Sequence, residues 1–147
     1  AKKEAEFYQA QWKEKLGIEV NVDVVTYKER ISRGKEGNYE IIRYAWGPDY
    51  SDAMTYLEIF LKNAGAINFS KYDNPEYDKL VKFARENQDK KQRTEAMQKA
   101  ETILADDFVI SGLYYAEGLY LVNPKMEGMV VRSVSNINDF YHVSISK

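Results

Sequence analysis

The spacing of apolar residues changes repeatedly within the first 46 positions, and these changes limit the possible folds more than any other feature. Residues 2–16 repeat apolar side chains every three or four positions, which predicts an amphipathic helix that Gly17 can end. Residues 18–25, IEVNVDVV, alternate strictly between apolar and polar, which predicts a strand with one buried face. Thr26 and Glu29 have capping-box spacing, which predicts a short helix over 26–34 that Gly34 ends. A mostly apolar strand over 39–46, expected to be buried on both faces, follows. This order indicates an α/β fold with a mixed sheet flanked by helices.

The remainder of the chain continues with helices and then with short strands. Helical periodicity and start signals predict helices over 51–65, 74–87 and 91–106. Runs of β-branched and aromatic residues predict strands over 108–116, 118–122, 129–134 and 140–147. Secondary structure is therefore expected along most of the chain.

The composition argues against several classes of function. The 21 basic and 23 acidic residues give a net charge of −2, which argues against a nucleic-acid partner. The chain contains no cysteine, so disulfides and thiolate sites are excluded. Its single histidine, His142, cannot build a multi-histidine metal site and is expected to be an ordinary strand residue. No metal and no cofactor are predicted.

The segment WGPDY, residues 46–50, interrupts an aromatic strand and places a carboxylate at the break. Ligands of open α/β sheets bind at the carboxyl ends of strands, so the position of Asp49 is suggestive. Three interpretations remain open from the residues alone. Asp49 and Asp52 could form a catalytic carboxylate pair, they could cap turns and helices, or Asp49 could hold a cation beside Trp46 and Tyr50.

Four segments in chain order resemble the extracellular oligopeptide-binding proteins of bacterial ABC importers, solute-binding protein family 5. They are WGPDY (46–50), YDNPEYDKL (72–80), AETILADD (100–107) and GLYYAEGLYLVNP (112–124). The helix–glycine–strand unit WKEKLGIEVNV, at 12–22, is similar to the unit that precedes the first motif in this family. The resemblance implies one lobe of a type II periplasmic-binding-protein-like fold and a binding protein rather than an enzyme.

The resemblance also implies roles for individual residues. The acid of the first motif meets the α-ammonium group of a bound peptide, which assigns that role to Asp49, and Trp46 lines the pocket. Arg43 stands where some members have an arginine that can meet a peptide carboxylate. Tyr44 and Tyr50 complete the candidate ligand-binding residues, and main-chain hydrogen bonds complete peptide recognition. Pro48 and Ala53 depart from the residues usual at these places in the family.

The same resemblance implies a larger protein. The chain opens directly on a helix without an initiator methionine, so we expect a C-terminal portion, incomplete at its N-terminus. Residues 1–115 are expected to form the second lobe, and 116–147 to be terminal strands that cross back to the first lobe. The expected partners are an oligopeptide and the permease subunits of an ABC importer.

The location expected from the resemblance is the periplasm or the outer face of the cell membrane. There the protein would touch the membrane only through a lipid anchor on the missing N-terminus. A signalling-peptide receptor and a binder of dipeptides or nickel complexes are alternatives within the family. A glycosidase-like enzyme based on Asp49 and Asp52 is the distant alternative.

Overall fold

The chain divides into two compact units, Ala1–Tyr39 and Glu40–Lys147. In this computed structural model, residues 2–132, 134 and 138–146 are described. The boundary between lobes that the sequence suggests, after residue 115, is a different division and stays a prediction.

The first unit contains the two helices that the sequence predicts. Helix α1 covers Lys2–Leu16, and Gly17 ends it with a φ of 68° and a hydrogen bond from its amide to the Lys13 carbonyl (3.2 Å). Helix α2 covers Tyr27–Glu36. Both predicted helices are therefore confirmed, the first from apolar periodicity and the second from its start signal.

The ends of α2 confirm one cap and correct the other. The Thr26 hydroxyl accepts a hydrogen bond from the Glu29 amide (3.2 Å), as the capping pattern predicts. The predicted stop at Gly34 is wrong, because Gly34 is buried inside the helix and Gly37 is the C-cap, with a φ of 76°. The positive φ of a helix C-cap favours glycine, and Gly37 has the backbone geometry that satisfies the last carbonyls.

The second unit is built on two long helices and an irregular helical segment before them. Helix α3 covers only Met54–Leu57 and continues into short 3₁₀ turns at Glu58–Phe60 and Lys62–Ile67. The predicted helix over 51–65 is thus broken, because Leu61 adopts an extended conformation (ψ 144°). Helices α4 (Pro75–Glu86) and α5 (Lys90–Asp106) agree with prediction, with Asn74 and Asp89 as N-caps.

The strands are where the sequence predictions fail. Residues 18–25, 39–46 and 108–122 are neither helix nor strand. The paired strands of the described residues are β1 (Met126–Glu127) and β2 (Ser144–Ile145), which are antiparallel, with an isolated bridge from Val130 to Asp139. Alternation does not reveal a partner strand, and the described residues supply none to the earlier segments. The predicted buried face of residues 18–25 is also wrong, because Ile18 and Val24 are exposed and Val20 and Val22 are only partly buried.

Two further strand predictions also need correction. Residues 39–46 are not buried on both faces: Ile42, Tyr44 and Trp46 are partly buried, while Ile41, Arg43 and Ala45 are exposed. His142 lies in a turn at 141–142 rather than in a strand. Residues 133, 135–137 and 147 lie outside the described residues, so the predicted strands over 129–134 and 140–147 are tested only in part.

The core of the second unit lies where α4 and α5 pack against α3. Its buried residues are Met54, Leu57, Leu61, Tyr77, Val81, Ala84, Ala96, Ala100 and Leu104. Tyr77 is fully buried, and its hydroxyl donates to the Leu57 carbonyl (2.6 Å), so the phenol satisfies an acceptor at the end of α3. Burial also raises the pKa of Tyr77, which keeps this donor protonated. The core thereby fixes the helical turn that follows the WGPDY segment.

Candidate functional site

Asp49 lies in the loop between residues 39–46 and α3, and its side chain is exposed. Its backbone amide donates to the Thr55 hydroxyl at 3.2 Å. Within residues 2–132, 134 and 138–146, no cation pairs with its carboxylate. The structure therefore holds the backbone of Asp49 and leaves its charge available.

Tyr44 and Trp46 directly precede this loop, and Tyr44 packs against both Trp46 and Phe69. The ring centroids of Tyr44 and Trp46 are 6.3 Å apart, and those of Tyr44 and Phe69 are 4.9 Å apart. Trp46 also donates from its indole Nε1 to the Thr55 hydroxyl at 3.4 Å, a long and therefore weak hydrogen bond. The partly buried faces of Tyr44 and Trp46 form an aromatic surface next to the loop that carries Asp49.

Asp52, the second acid of the loop, has a structural role. Its Oδ1 atom accepts hydrogen bonds from Arg93 Nη2 on α5 (2.8 Å) and from the Met54 amide (2.8 Å). The Arg93 guanidinium, and in smaller part the Met54 amide, lower the pKa of Asp52 despite an opposing effect of burial. The carboxylate is thus ionised, paired and bonded to the first amide of α3, although the N-cap position itself is Ala53, so the capping interpretation holds only in part. Its engagement argues against a catalytic pair with Asp49.

Tyr50 is bonded through its hydroxyl to the helical part of the unit. It donates to Glu58 Oε1 (2.8 Å), and Arg85 Nη2 of α4 contacts Glu58 Oε2 (3.3 Å). Burial, followed by the hydrogen bond to Glu58, raises the pKa of Tyr50 to about 12. Because the hydroxyl is engaged with Glu58, the exposed ring is the part of Tyr50 that a ligand could contact.

Arg43 takes part in a different contact. Its Nη2 atom donates to the Tyr114 hydroxyl at 2.9 Å, in the segment that carries the fourth motif. Arg43 is exposed, whereas Tyr44 and Trp46 are partly buried. The structure therefore joins Tyr44, Trp46 and Asp49 through neighbouring contacts and places Arg43 with Tyr114.

The second and third motifs meet each other. The Tyr72 hydroxyl donates to Asp107 Oδ2, and Asn74 Nδ2 donates to both the Tyr72 hydroxyl (2.9 Å) and Asp107 Oδ2 (3.2 Å). The Oδ1 atom of Asn74 caps α4 by accepting from the Glu76 and Tyr77 amides. These motif residues connect the start of α4 to the end of α5, which is a structural task.

Several residues that shape the site escape sequence reasoning. Thr55 lies in a predicted helix and Phe69 lies outside every predicted element, and no pattern singles out either residue. Arg93 is 41 positions from Asp52, and no local signal links the two. Asn68 is buried and organises the loop beneath Tyr72, since its amide bonds to the Leu61 carbonyl (3.2 Å) and the Tyr72 carbonyl (3.0 Å).

Among the described residues, no group of three or more His, Cys, Asp or Glu could hold a metal ion. In the same part of the chain, no helix is both long enough and apolar enough to cross a membrane.

The known sequences that are similar to this chain are bacterial solute-binding proteins. Residues 1–68 match the family model described as bacterial extracellular solute-binding proteins, family 5 Middle. The oligopeptide-binding protein OppA of Bacillus subtilis is 27% identical over 133 residues, which are 90% of this chain and 24% of that protein. The periplasmic oligopeptide-binding protein OppA of Haemophilus influenzae is 34% identical over 111 residues, 76% of this chain and 20% of that protein. The chain spans about a quarter of the length of these relatives.

Solved structures show the same similarity in three dimensions. The substrate-binding domain of an oligopeptide ABC transporter from Bacillus anthracis matches 100% of this chain and 29% of its own, with a TM-score of 0.88 and 28% identity. This similarity confirms the predicted fold class, one lobe of a type II periplasmic-binding-protein-like fold. The predicted mixed sheet is not formed within the described residues, where the sheet is the antiparallel pair β1 and β2.

Proposed function

Because the chain belongs to the bacterial extracellular solute-binding proteins of family 5, we propose that the protein containing it captures oligopeptides for an ABC importer. The proposed partners are an oligopeptide and the membrane permease subunits. The family acts outside the cytoplasm, and we extend the proposal to a lipid anchor as the attachment to the membrane. The family consists of solute-binding proteins, and no catalytic step is proposed.

Asp49 is the proposed contact for the peptide's α-ammonium group, and one observation carries this assignment. Of the two loop acids, Asp52 is engaged with Arg93, whereas the Asp49 carboxylate has no cationic partner among the described residues. An ammonium group supplies a positive charge and three donors, which suit a carboxylate. Asp49 is therefore the acid of this loop that can accept an incoming cation.

The surroundings of Asp49 suit such a ligand in part. Tyr50 directly follows Asp49, Trp46 is bonded to the same Thr55 hydroxyl as the Asp49 amide, and Tyr44 packs on Trp46. We propose that these rings attract the ligand cation and cover the first residues of a peptide. Water reaches the Asp49 carboxylate in this chain, so further desolvation has to come from the bound peptide or from the rest of a protein about four times as long. Arg43, beside Tyr114, is proposed as a contact for a peptide carboxylate.

Substitution of Asp49 tests the proposal in the full-length protein. Removing one partner of a buried charge pair costs about 2–5 kcal/mol, so Asp49→Ala should weaken the binding of a free-amino peptide by at least about tenfold. Asp49→Asn should weaken binding similarly, because it keeps the shape and loses the charge. The matched control is Asp106→Ala, which removes an exposed acid at the end of α5. Calorimetric titration with alanine peptides of several lengths measures the affinities.

The same peptides in N-acetylated form give the decisive comparison. Acetylation removes the positive charge, so the wild-type protein should bind the acetylated peptide more weakly, and the Asp49 variants should lose that preference. Equal wild-type affinity for both forms would refute the role of Asp49. A thermal-shift panel with dipeptides, longer peptides, nickel chelates and sugars separates the proposal from its alternatives, since stabilisation by chelates or sugars alone would contradict it.

A further inference from the structure

Thr55 is a buried residue whose hydroxyl is hydrogen-bonded to both Asp49 and Trp46. Its exposed fraction is 1%, and its Oγ1 atom accepts from the Asp49 amide at 3.2 Å and from Trp46 Nε1 at 3.4 Å. A hydroxyl oxygen has two lone pairs, so one side chain can hold the carboxylate's backbone and the aromatic ring together. The shorter bond, to Asp49, is the stronger of the two.

The position of this hydroxyl is set by the core rather than by the loop. Met54 and Leu57, on the same short helix as Thr55, are buried in the core formed with α4 and α5. The loop that carries Asp49 and Trp46 is thus bonded to a rigid part of the unit. A valine would fill nearly the same space but would offer no acceptor, so the hydroxyl has a task that packing does not explain.

We propose that Thr55 is a positioning residue for peptide recognition, an inference that rests on the proposed role of Asp49. By accepting the Asp49 amide, the Thr55 hydroxyl fixes the backbone from which the carboxylate projects. It also bonds the Trp46 indole to the same buried hydroxyl. Fixing a recognition group before the ligand arrives reduces the conformational entropy lost on binding. Thr55 itself does not contact the peptide.

Two variants of the full-length protein test the inference with a readout that general destabilisation does not change. Thr55→Val removes the hydroxyl and keeps the shape, and Thr55→Ser keeps the hydroxyl. The ligands are the alanine peptide of the length that the panel selects and its N-acetylated form. Losing a hydrogen bond of ordinary strength should weaken free-amino peptide binding by Thr55→Val about three- to tenfold. The affinity for the acetylated form should stay nearly unchanged, and Thr55→Ser should behave as wild type.

The outcomes separate this inference from the proposed function. If the wild-type protein does not distinguish the two peptide forms, the role of Asp49 fails and the role of Thr55 fails with it. If the wild-type protein distinguishes them and Thr55→Val does so equally well, only the inference about Thr55 is overturned. A Thr55→Ser variant that binds as weakly as Thr55→Val overturns it as well.

Hydrogen exchange on the wild-type protein provides a measurement that needs no variant. The Asp49 amide should exchange more slowly than an unbonded amide, because Thr55 accepts its hydrogen bond. Exchange of the Asp49 amide at the rate of an unfolded peptide would show that the proposed attachment does not form.

Discussion

Two acids three positions apart in one loop have different roles, and the difference arises from single contacts. Asp52 meets Arg93 at 2.8 Å and is about one-third exposed, whereas Asp49 keeps an exposed carboxylate without a cation among the described residues. Asp52 stabilises the loop, and Asp49 is available to a ligand. Residue type alone therefore does not assign a role, because the partner of each charge determines what it does.

The contribution of Asp52 to stability should depend on pH in a defined direction. Arg93 lowers its folded-state pKa below the ordinary value of 3.8, so the unfolded chain binds the proton more readily. The stabilisation is therefore present above about pH 4 and is lost as the pH falls through the lower folded-state value. Asp52→Asn should reduce the free energy of unfolding by about 1 kcal/mol at neutral pH, because the pair is partly exposed.

Urea denaturation of the full-length protein at several pH values measures this effect. The difference between Asp52→Asn and wild type should shrink as the solution is acidified below about pH 4. Glu101→Gln is the matched control, because Glu101 is an exposed acid on the same helix as Arg93 and should show little effect at any pH. A difference for Asp52→Asn that is constant with pH would contradict the assigned ion pair.

At the scale of elements, the ends of α4 and α5 are connected by one hydrogen-bonded group. Asn74 caps α4 through its Oδ1 atom and donates through Nδ2 to Tyr72 and to Asp107 beyond the end of α5. Asp89 caps α5 by accepting from the Lys91 and Gln92 amides. The two N-caps look equivalent in sequence, but Asn74 performs a second task that Asp89 does not.

Exchanging asparagine and aspartate at the two caps should therefore have unequal effects. Both residue types are good N-caps, so Asp89→Asn should change the free energy of unfolding by less than about 0.5 kcal/mol. Asn74→Asp removes the donor and places a second carboxylate beside Asp107, which should cost about 1–3 kcal/mol. Urea denaturation of the two full-length variants measures both values. Equally small changes in the free energy of unfolding for both variants would mean that the hydrogen bond from Asn74 to Asp107 does not contribute to stability.

At the scale of the whole molecule, the chain exposes apolar side chains in its fourth motif. Tyr115, Leu119 and Leu121 are each more than 90% exposed, in a segment without regular secondary structure. The relatives it matches are about four times as long. Such an apolar segment is typical of a surface that meets further structure. We expect that a ligand site shared with such structure is incomplete in these residues alone.

Residues 1–147 expressed alone should therefore bind peptides poorly. A peptide on Asp49 and the aromatic rings would remain solvated on one side, so few of its contacts would be desolvated. Calorimetry with the alanine peptides should give no binding at micromolar concentrations, while the full-length protein in the same buffer should bind. Circular dichroism verifies that the isolated chain keeps its helices. Micromolar or tighter binding by the isolated chain would contradict this expectation.

Sequence reasoning located the helices well and the strands poorly, for physical reasons. The cap at Asn74 and the periodicity of α1, α4 and α5 depend on residues within a few positions of each other, so they can be recognised locally. The segment 18–25 alternates as a strand should, but a strand needs a partner whose identity alternation does not reveal. The helix over 51–65 fails because the chain becomes extended at Leu61, which periodicity does not indicate.

The candidate site divides in the same way between local and distant information. The WGPDY segment identified Trp46, Asp49 and Tyr50 from neighbouring residues and a family resemblance. The contacts of Asp52 with Arg93, of Arg43 with Tyr114 and of Tyr44 with Phe69 join residues 41, 71 and 25 positions apart. No local pattern could have predicted these pairs.

The sequence by itself determined the long helices, the N-cap of α4 and the position of an acid close to a tryptophan. All of these depend on short-range geometry and on residue chemistry. Only the tertiary structure decided which loop acid is paired, which ring packs on Tyr44 and which buried hydroxyl holds the loop, because those choices depend on helices brought together by a shared core. The availability of the Asp49 charge is thus a property of the fold, although the charge itself is visible in the sequence.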